Sequence, residues 1–195
     1  MTLQATYLLP LALRPGDGDV HELASYLRAV AGVVDQVLVV DGSASGDRQA
    51  HAATFGPSIQ VVAPRPELRT AMGKVGGVLT GLEHARHERV VVADDDVRYD
   101  GETLAAVLGR LEEADVVRPC NYFDPLPWHA RWDTARTLLA LVGSGDWPGT
   151  LAVRRSALLR CNGYSGQVMF ENFELVRTVR AGGGTESHAP DILVR

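Results

Sequence analysis

The sequence predicts an α/β fold in which helices flank a mostly parallel central sheet. Short β-branched runs alternate with helical stretches along the chain, which is typical of parallel sheets built from strand–helix units. Residues 37–40 and 90–93 are apolar without interruption, as expected of central strands covered by helices on both faces. With 195 residues, 46% of them hydrophobic, the chain has the size and composition of one globular domain.

Six runs have the composition of strands and three stretches have helical periodicity. The predicted strands are residues 6–13, 36–40, 59–62, 89–93, 116–117 and 150–153. The predicted helices are residues 20–33, 70–86 and 101–113.

Each predicted helix has apolar residues on one face. The first places Leu23 and Leu27 at helical spacing, and Asp19 with Glu22 predicts a capping box at its start. The second repeats Val75, Val78, Leu79 and Leu82, and the third repeats Leu104, Val107, Leu108 and Leu111. From about residue 119 the chain is richer in Trp, Pro and Gly, and we interpret this half as shaping the substrate site within the same domain.

Composition excludes several classes of protein. No run of about 18 apolar residues is present, so a spanning helix is not expected, and the first residues lack a signal-peptide pattern. The two cysteines, Cys120 and Cys161, are typical of a reducing compartment, so a cytoplasmic location is expected. The net charge is −5 and there is no basic stripe, which disfavours a nucleic-acid partner. Peripheral association with a membrane stays open.

Three consecutive aspartates follow the predicted strand of residues 89–93. In an extended chain Asp94 and Asp96 point to one side and Asp95 to the other. Two carboxylates at the carboxyl end of a parallel strand suit Mg²⁺ or Mn²⁺ bound together with phosphate oxygens. The structural alternative is a solvated acidic turn.

Two further segments have a candidate role in binding a nucleotide. Asp41 ends a predicted strand and precedes Gly42 and Ser43, so it could accept hydrogen bonds from a base or ribose, or simply begin a turn. Gly73 and Lys74 begin a glycine-rich helix that could offer amides and a charge to a phosphate. The alternative there is that the glycines allow close helix–sheet packing and that the lysine is solvated.

Taken together, these segments resemble the family 2-type glycosyltransferases, which have the GT-A (Rossmann-like) fold. The matching segments, in the family's order, are Leu8-Leu9-Pro10, Val39-Val40-Asp41-Gly42-Ser43, Gly73-Lys74 with Gly81, Ala93-Asp94-Asp95-Asp96, residues 149–158 with Gly163-Tyr164, and residues 171–182. The resemblance covers residues 5–185. It implies a nucleotide-binding half over about residues 1–118 and an acceptor- and sugar-shaping half over about residues 119–195.

The resemblance implies an inverting hexosyltransferase or a related enzyme that moves a sugar from a nucleotide-diphospho-sugar to an acceptor. Divalent metal, Mn²⁺ or Mg²⁺, would offset charge on the departing diphosphate. The implied metal ligands are Asp94 and Asp96. The predicted substrate contacts are Asp41, Lys74, Asp94, Asp95, Gly149 and Thr150. The donor sugar, the base and the acceptor do not follow from the sequence.

The sequence departs from the family pattern at the catalytic position. The usual aspartate is replaced by Asn172, whose amide cannot accept a proton as a general base. Glu171 is therefore the predicted catalytic base, provided that it lies at the non-helical start of the following helix; the alternative is that it caps that helix or forms a salt bridge with an arginine. Asn172→Asp is expected to be tolerated or to gain activity. Asp146 is the alternative base, and His188 is the one candidate for a late metal-ligating histidine.

Residues 121–132 and 147–149 are dense in aromatic and polar side chains, which are typical of a sugar-binding wall but also of an aromatic mini-core. Two other functions stay open. One is a nucleotide-sugar-binding protein without turnover. The other is a sugar-phosphate nucleotidyltransferase, although residues 11–18 lack the glycine-rich Arg/Lys signature that follows the first strand in such enzymes.

Overall fold

The computed structural model describes residues 2–14, 17–122, 124 and 148–195. In these residues seven strands form one sheet in the order β3-β2-β1-β4-β6-β5-β7. The strands are β1 (Leu3–Leu11), β2 (Val34–Asp41), β3 (Ile59–Val62), β4 (Arg89–Ala93), β5 (Val116–Asn121), β6 (Thr150–Arg154) and β7 (Glu186–Val194). β6 runs antiparallel to β4 and β5, and the other pairs are parallel.

Six α-helices and one 3-10 turn connect the strands in the described part of the chain. They are α1 (Val20–Ala31), α2 (Ser45–Phe55), the 3-10 turn (Pro66–Leu68), α3 (Gly73–His84), α4 (Gly101–Arg110), α5 (Arg155–Arg160) and α6 (Glu171–Ala181).

Helices cover both faces of the sheet. One apolar layer contains side chains of α1, α2 and α4 packed on β1 and β2. The other contains side chains of α3, α5 and α6 packed on β4 and β6. The uninterrupted apolar runs of β2 and β4 are buried on both faces, because each lies in the middle of this three-layer arrangement. The predicted α/β class, with a mostly parallel sheet between helices, is confirmed.

Periodicity predicted neither α5 nor α6, which only the family resemblance implied, and two further elements were not expected at all. α2 has little apolar periodicity, because His51 and Phe55 are its only buried residues. β7 lies at the edge of the sheet and contains Pro190, which interrupts the strand pattern in sequence and is tolerated at an edge.

The predicted capping box of α1 is half right. Asp19 is the N-cap, and its carboxylate accepts from the amides of His21 and Glu22. Glu22, however, does not turn back to the cap, since its carboxylate binds the guanidinium of Arg98. A long-range ion pair has taken the place of a local one.

No helix within the described ranges has the length and apolar character needed to cross a membrane.

Candidate functional site

A cavity of about 870 Å³ lies at the carboxyl ends of β1 and β2, beside the start of α3. The lining residues are Pro10, Leu11, Ala12, Arg14, Val40, Gly42, Ser43, Arg48, Ala63, Pro64, Pro66, Arg69, Thr70, Gly73, Lys74, Gly76, Gly77, Asp94 and Asp95. The carboxyl ends of parallel strands are where open α/β sheets bind ligands. The volume is within the range of small-molecule sites.

The lining of this cavity includes four cationic side chains and two carboxylates. The cations are Arg14, Arg48, Arg69 and Lys74, and the carboxylates are Asp94 and Asp95. The guanidinium of Arg48 donates to the carbonyl oxygen of Ser43 at 3.0 Å, and this bond holds the arginine against the loop that follows β2. An excess of guanidinium groups favours a ligand that carries phosphate.

The sequence did not indicate the three arginines. Arg48 lies on the helix whose periodicity is weak, and Arg14 and Arg69 lie in loops. Position was the feature that could have indicated two of them, because Arg14 follows β1 and Arg69 precedes Gly73, beside segments that were predicted to bind the ligand.

The glycines of α3 bring that helix against β1 and the preceding turn. A Cβ on Gly77 would lie 2.9 Å from Cβ of Pro10, and one on Gly81 would collide with the buried side chain of Leu8. Close helix–sheet packing is therefore one role of these glycines. It also places the positive end of the α3 dipole at the cavity, where an anion is stabilised.

Lys74 is not solvated but joins two candidate catalytic carboxylates. Its Nζ lies 2.6 Å from Oδ1 of Asp94 and 2.7 Å from Oε1 of Glu171. The side chains of Lys74 and Glu171 are only 17% and 16% exposed. Glu171 is therefore fixed beside the cavity wall through an ammonium that it shares with Asp94.

Burial and charge act in opposite directions on this cluster. Burial raises the pKa of Asp94, and the attraction of Lys74 offsets that rise only in part. For Lys74, burial lowers the pKa, but the two carboxylates outweigh it and the pKa is raised. The attraction of Lys74 therefore does not fully offset the cost of burying an ionised Asp94, and a further cation near this carboxylate would be favourable.

The three aspartates do not continue strand β4. The strand ends at Ala93, and the amide of Val97 donates to the carbonyl oxygen of Asp94 at 3.2 Å, which closes a turn. The extended geometry assumed from sequence is therefore wrong. Asp94 and Asp95 line the large cavity, whereas Asp95 and Asp96 line a neighbouring cavity of about 180 Å³.

Gly149 and Thr150 support the turn from β6. The carbonyl oxygen of Gly149 accepts from the amide of Asp94 at 3.0 Å, and a Cβ there would lie 2.9 Å from Oδ2 of Asp94. The hydroxyl of Thr150 is fully buried, donates to the carbonyl oxygen of Val92 and meets the hydroxyl of Tyr99. Neither residue lines the large cavity.

Asp41 is buried beneath the loop that lines the cavity. Its side chain is 0% exposed, Oδ1 accepts from the amide of Ser43, and Oδ2 lies 2.7 Å from Nδ1 of His51. In this arrangement Asp41 shapes the Gly42–Ser43 loop. Direct contact with a nucleoside stays a prediction.

Glu171 is the first residue of α6 and not part of a preceding loop. The side-chain amide of Asn172 donates to the carbonyl oxygen of Pro148 at 2.7 Å, and the residue is 7% exposed. The side-chain oxygen of Asn172 and the hydroxyl of Tyr164 are buried without a hydrogen-bond partner in the described part of the chain. Burial raises the pKa of Tyr164, and the charges of Glu171 and Asp94 add to the rise.

The remaining sequence candidates lie elsewhere. His188 is on β7, which is separated from β4 by β6 and β5, about 14 Å across the sheet. Asp146, Trp147 and most of the aromatic stretch 121–132 lie outside the described residues.

The carboxylates of the aspartate turn could supply some, but not all, of the ligands of a hard divalent cation. Carboxylate oxygens are the ligands that Mg²⁺ and Mn²⁺ prefer, and such ions often use only one or two of them together with substrate phosphates. Within the described residues no group of three or more His, Cys, Asp or Glu side chains could hold a metal by itself. The turn therefore suits a metal that arrives with phosphate.

A model of the MobA-like NTP transferase domain matches residues 14–159, three quarters of the sequence. The chain therefore belongs to that family. No curated protein sequence matches it significantly.

Solved structures show the same fold over nearly the whole chain. A mycobacterial protein has a TM-score of 0.67 at 22% identity, covering 98% of this chain and 67% of its own. Glucosyl-3-phosphoglycerate synthase from Mycobacterium tuberculosis, in complex with Mn²⁺ and UDP-glucose, has a TM-score of 0.66 at 22% identity, covering 98% and 70%. Mannosyl-3-phosphoglycerate synthase from Rubrobacter xylanophilus has a TM-score of 0.62 at 21% identity, covering 96% and 65%.

The likeness to these synthases confirms the predicted GT-A fold. The chain spans about two thirds of the length of the solved structures that it matches.

Proposed function

We propose that the chain is a metal-dependent glycosyltransferase that uses a nucleotide-diphospho-sugar donor. The observation that carries the proposal is the cavity at the ends of β1 and β2, whose lining combines four cations and the start of α3 with Asp94 and Asp95. A nucleoside diphosphate needs this combination, because its phosphates require cations and amides while its ribose and metal require carboxylates. The synthases of the same fold support the choice of donor.

In this proposal Asp94 binds the metal, with Asp96 as the second ligand expected from sequence. Asp95 is an equally placed candidate, because it lines the large cavity with Asp94. When bound, the cation would stabilise negative charge on the departing nucleoside diphosphate. Lys74 adds a positive charge on the same side of the cavity and orients Asp94.

Glu171 is the proposed general base for an inverting transfer. Its carboxylate is held 2.7 Å from Lys74, one side chain away from Asp94, at the first residue of α6. An acceptor hydroxyl would have to come within about 3 Å of this carboxylate. Asp41 is proposed to act on the nucleoside through the Gly42–Ser43 loop that its carboxylate holds.

A sugar-phosphate nucleotidyltransferase is the second candidate, because the family to which the chain belongs is named for NTP transfer. The family match begins at residue 14, after β1. The turn that follows β1 has no glycine-rich Arg/Lys signature, which favours the glycosyltransferase. A binding protein without turnover would share the cavity but release no product.

Nucleotide binding tests the proposal first. We expect UDP, GDP, ADP, CDP or dTDP to raise Tm by about 5–10 °C at a hundredfold excess over Kd with Mn²⁺, and much less with EDTA.

Asp95→Asn and Asp96→Asn, both at exposed positions, identify which carboxylate joins Asp94. Asp191→Asn, in an exposed ion pair with Arg110, is the matched control.

The reaction is tested with the nucleotide that gives the largest shift. The glycosyltransferase should release nucleoside diphosphate from the corresponding nucleotide sugar. It should release no pyrophosphate from the triphosphate plus a sugar 1-phosphate. Pyrophosphate release would establish the nucleotidyltransferase instead, and the absence of any metal-dependent shift would contradict both.

A further inference from the structure

The aspartate turn is held by an arginine as well as by Lys74. Nη1 of Arg98 donates to the carbonyl oxygen of Asp95 at 2.6 Å and to that of Val97 at 3.0 Å. These bonds fix the backbone of the turn rather than its carboxylates. Lys74 contacts the carboxylate of Asp94 from α3, so two cations contact the turn at different atoms.

Arg98 is itself fixed to α1 by a forked ion pair. Its Nε and Nη2 lie 3.2 Å and 2.7 Å from the two carboxylate oxygens of Glu22. The side chain of Arg98 is 16% exposed, while that of Glu22 is 57% exposed. An ion pair with one solvated partner adds little to folding stability, so geometry is the stronger reason for it.

The guanidinium of Arg98 also packs on a tyrosine that belongs to a hydrogen-bonded group of three. Cζ of Arg98 lies 4.8 Å from the ring centroid of Tyr26. The hydroxyl of Tyr26 accepts from the amide of Tyr99 at 2.8 Å and meets the hydroxyl of the fully buried Tyr7 at 3.1 Å. The arginine therefore connects the turn to the central strand β1 as well as to α1.

Charge gives Arg98 a second effect on the turn. Three adjacent aspartates repel one another, and the neighbouring small cavity is lined by Asp95, Asp96, Asp19 and Glu22 together with Arg98. The guanidinium is the cation among these lining residues. Nη1 donates to the turn while Nε and Nη2 bind Glu22, and a lysine ammonium, with one nitrogen, cannot reproduce both sets of contacts in this planar geometry.

We propose that Arg98 is a positioning residue, which holds the Asp94–Asp96 turn in the geometry that binds the metal and diphosphate. This inference rests on the proposed function, since it gives the turn its purpose. Arg98 touches neither donor nor metal in this role and acts through the backbone of Asp95 and Val97. Residues that hold metal-binding groups in place typically change metal affinity by about 10–100-fold when substituted.

Calorimetry with UDP, in Mn²⁺ and in EDTA, tests this role. The readout is the ratio of the two Kd values, which isolates the contribution of the metal. Arg98→Ala should reduce that ratio by about tenfold or more. Arg98→Lys should restore only part of it, because the charge returns without the fork. Glu22→Gln, which leaves Arg98 in place, should reduce it in the same direction.

The matched control is Arg110→Ala, which breaks an exposed ion pair with Asp191 between α4 and β7 and should leave the ratio unchanged. Equal weakening of UDP binding in Mn²⁺ and in EDTA, or an unchanged ratio in Arg98→Lys and Glu22→Gln, would overturn the inference and leave the proposed function standing. If the wild-type protein binds UDP and the other nucleotides without any metal effect, the proposed function fails and the inference fails with it.

Discussion

At the scale of single residues, the ammonium of Lys74 decides how the catalytic candidates are arranged. Asp94 and Glu171 were assigned separate roles from sequence, but both carboxylates contact the same Nζ. Either one alone would leave Lys74 with a single partner in a largely buried position. The orientation of the proposed base and that of the proposed metal ligand are therefore coupled, and substitution of one is expected to disturb the other.

Replacement of Asn172 by aspartate is expected to destabilise the protein. From sequence, aspartate at this position should be tolerated or should raise activity, and the structure adds an expected cost in stability. The Asn172 amide donates to the carbonyl oxygen of Pro148, whereas a carboxylate there would face that oxygen without a proton to share. We expect Asn172→Asp to lower the free energy of unfolding by about 1–3 kcal/mol.

Urea denaturation of Asn172→Asp beside Asn162→Asp measures this cost. Asn162 is exposed in a turn, with a positive φ that aspartate also accepts, so that change should stay within about 0.5 kcal/mol. If the two variants proved equally stable, the hydrogen bond to Pro148 would not be important.

At the scale of elements, the helix α3 forms one wall of the cavity by packing unusually close to its neighbours. A Cβ on Gly76 would lie 2.6 Å from the backbone oxygen of Leu68, in the turn that precedes the helix. Backbone cannot move aside as a flexible side chain can. The position of the helix start, and with it that of Lys74, therefore depends on glycine.

Gly76→Ala should destabilise the protein by about 1–3 kcal/mol, because overpacking outweighs the gain in helix propensity. Gly109→Ala on α4 is the matched control. A Cβ there has no neighbour within 4 Å, so the same change should stabilise by about 0.5–1 kcal/mol. Thermal or urea unfolding of both variants checks the prediction. If Gly76→Ala were more stable than the wild-type protein, the turn at Leu68 would have to move to make room for the added Cβ.

At the scale of the whole molecule, the far edge of the sheet is separate from the site. His188 on β7 pairs in register with Arg118 on β5. Burial lowers the pKa of His188, the charge of Arg118 lowers it further, and Glu186 opposes the shift. Because the pKa is lower in the folded than in the unfolded protein, the unfolded state binds more protons between the two values.

The free energy of unfolding should therefore rise with pH toward the ordinary histidine value of about 6.5. The stabilising contribution should be lost as the pH falls through the lower, folded value. Urea unfolding at pH 5, 6 and 7 should show a flatter profile for His188→Gln than for the wild-type protein. His21→Gln, at an exposed position on α1, is the control, and an unchanged slope in His188→Gln would assign the pH dependence to other groups.

The sequence by itself determined the layers of this protein. Strand and helix periods identified the central strands and the three helices α1, α3 and α4, because those patterns arise from neighbours within one element. The same local logic placed Lys74 and the aspartates at the carboxyl edge of the sheet. It missed α2 and β7, whose sequences have little periodicity of their own, and α5 and α6 were expected only from the family resemblance.

Only the tertiary structure decided which charged groups meet. Lys74 and Glu171 are 97 residues apart in sequence, and Arg98 and Glu22 are 76 apart, so no local pattern indicates either pair. The turn of the aspartates and the burial of Asp41 were likewise set by packing against β6 and α2. Hydrogen-bonding partners depend on distance in space, and that distance is fixed only when the sheet has assembled.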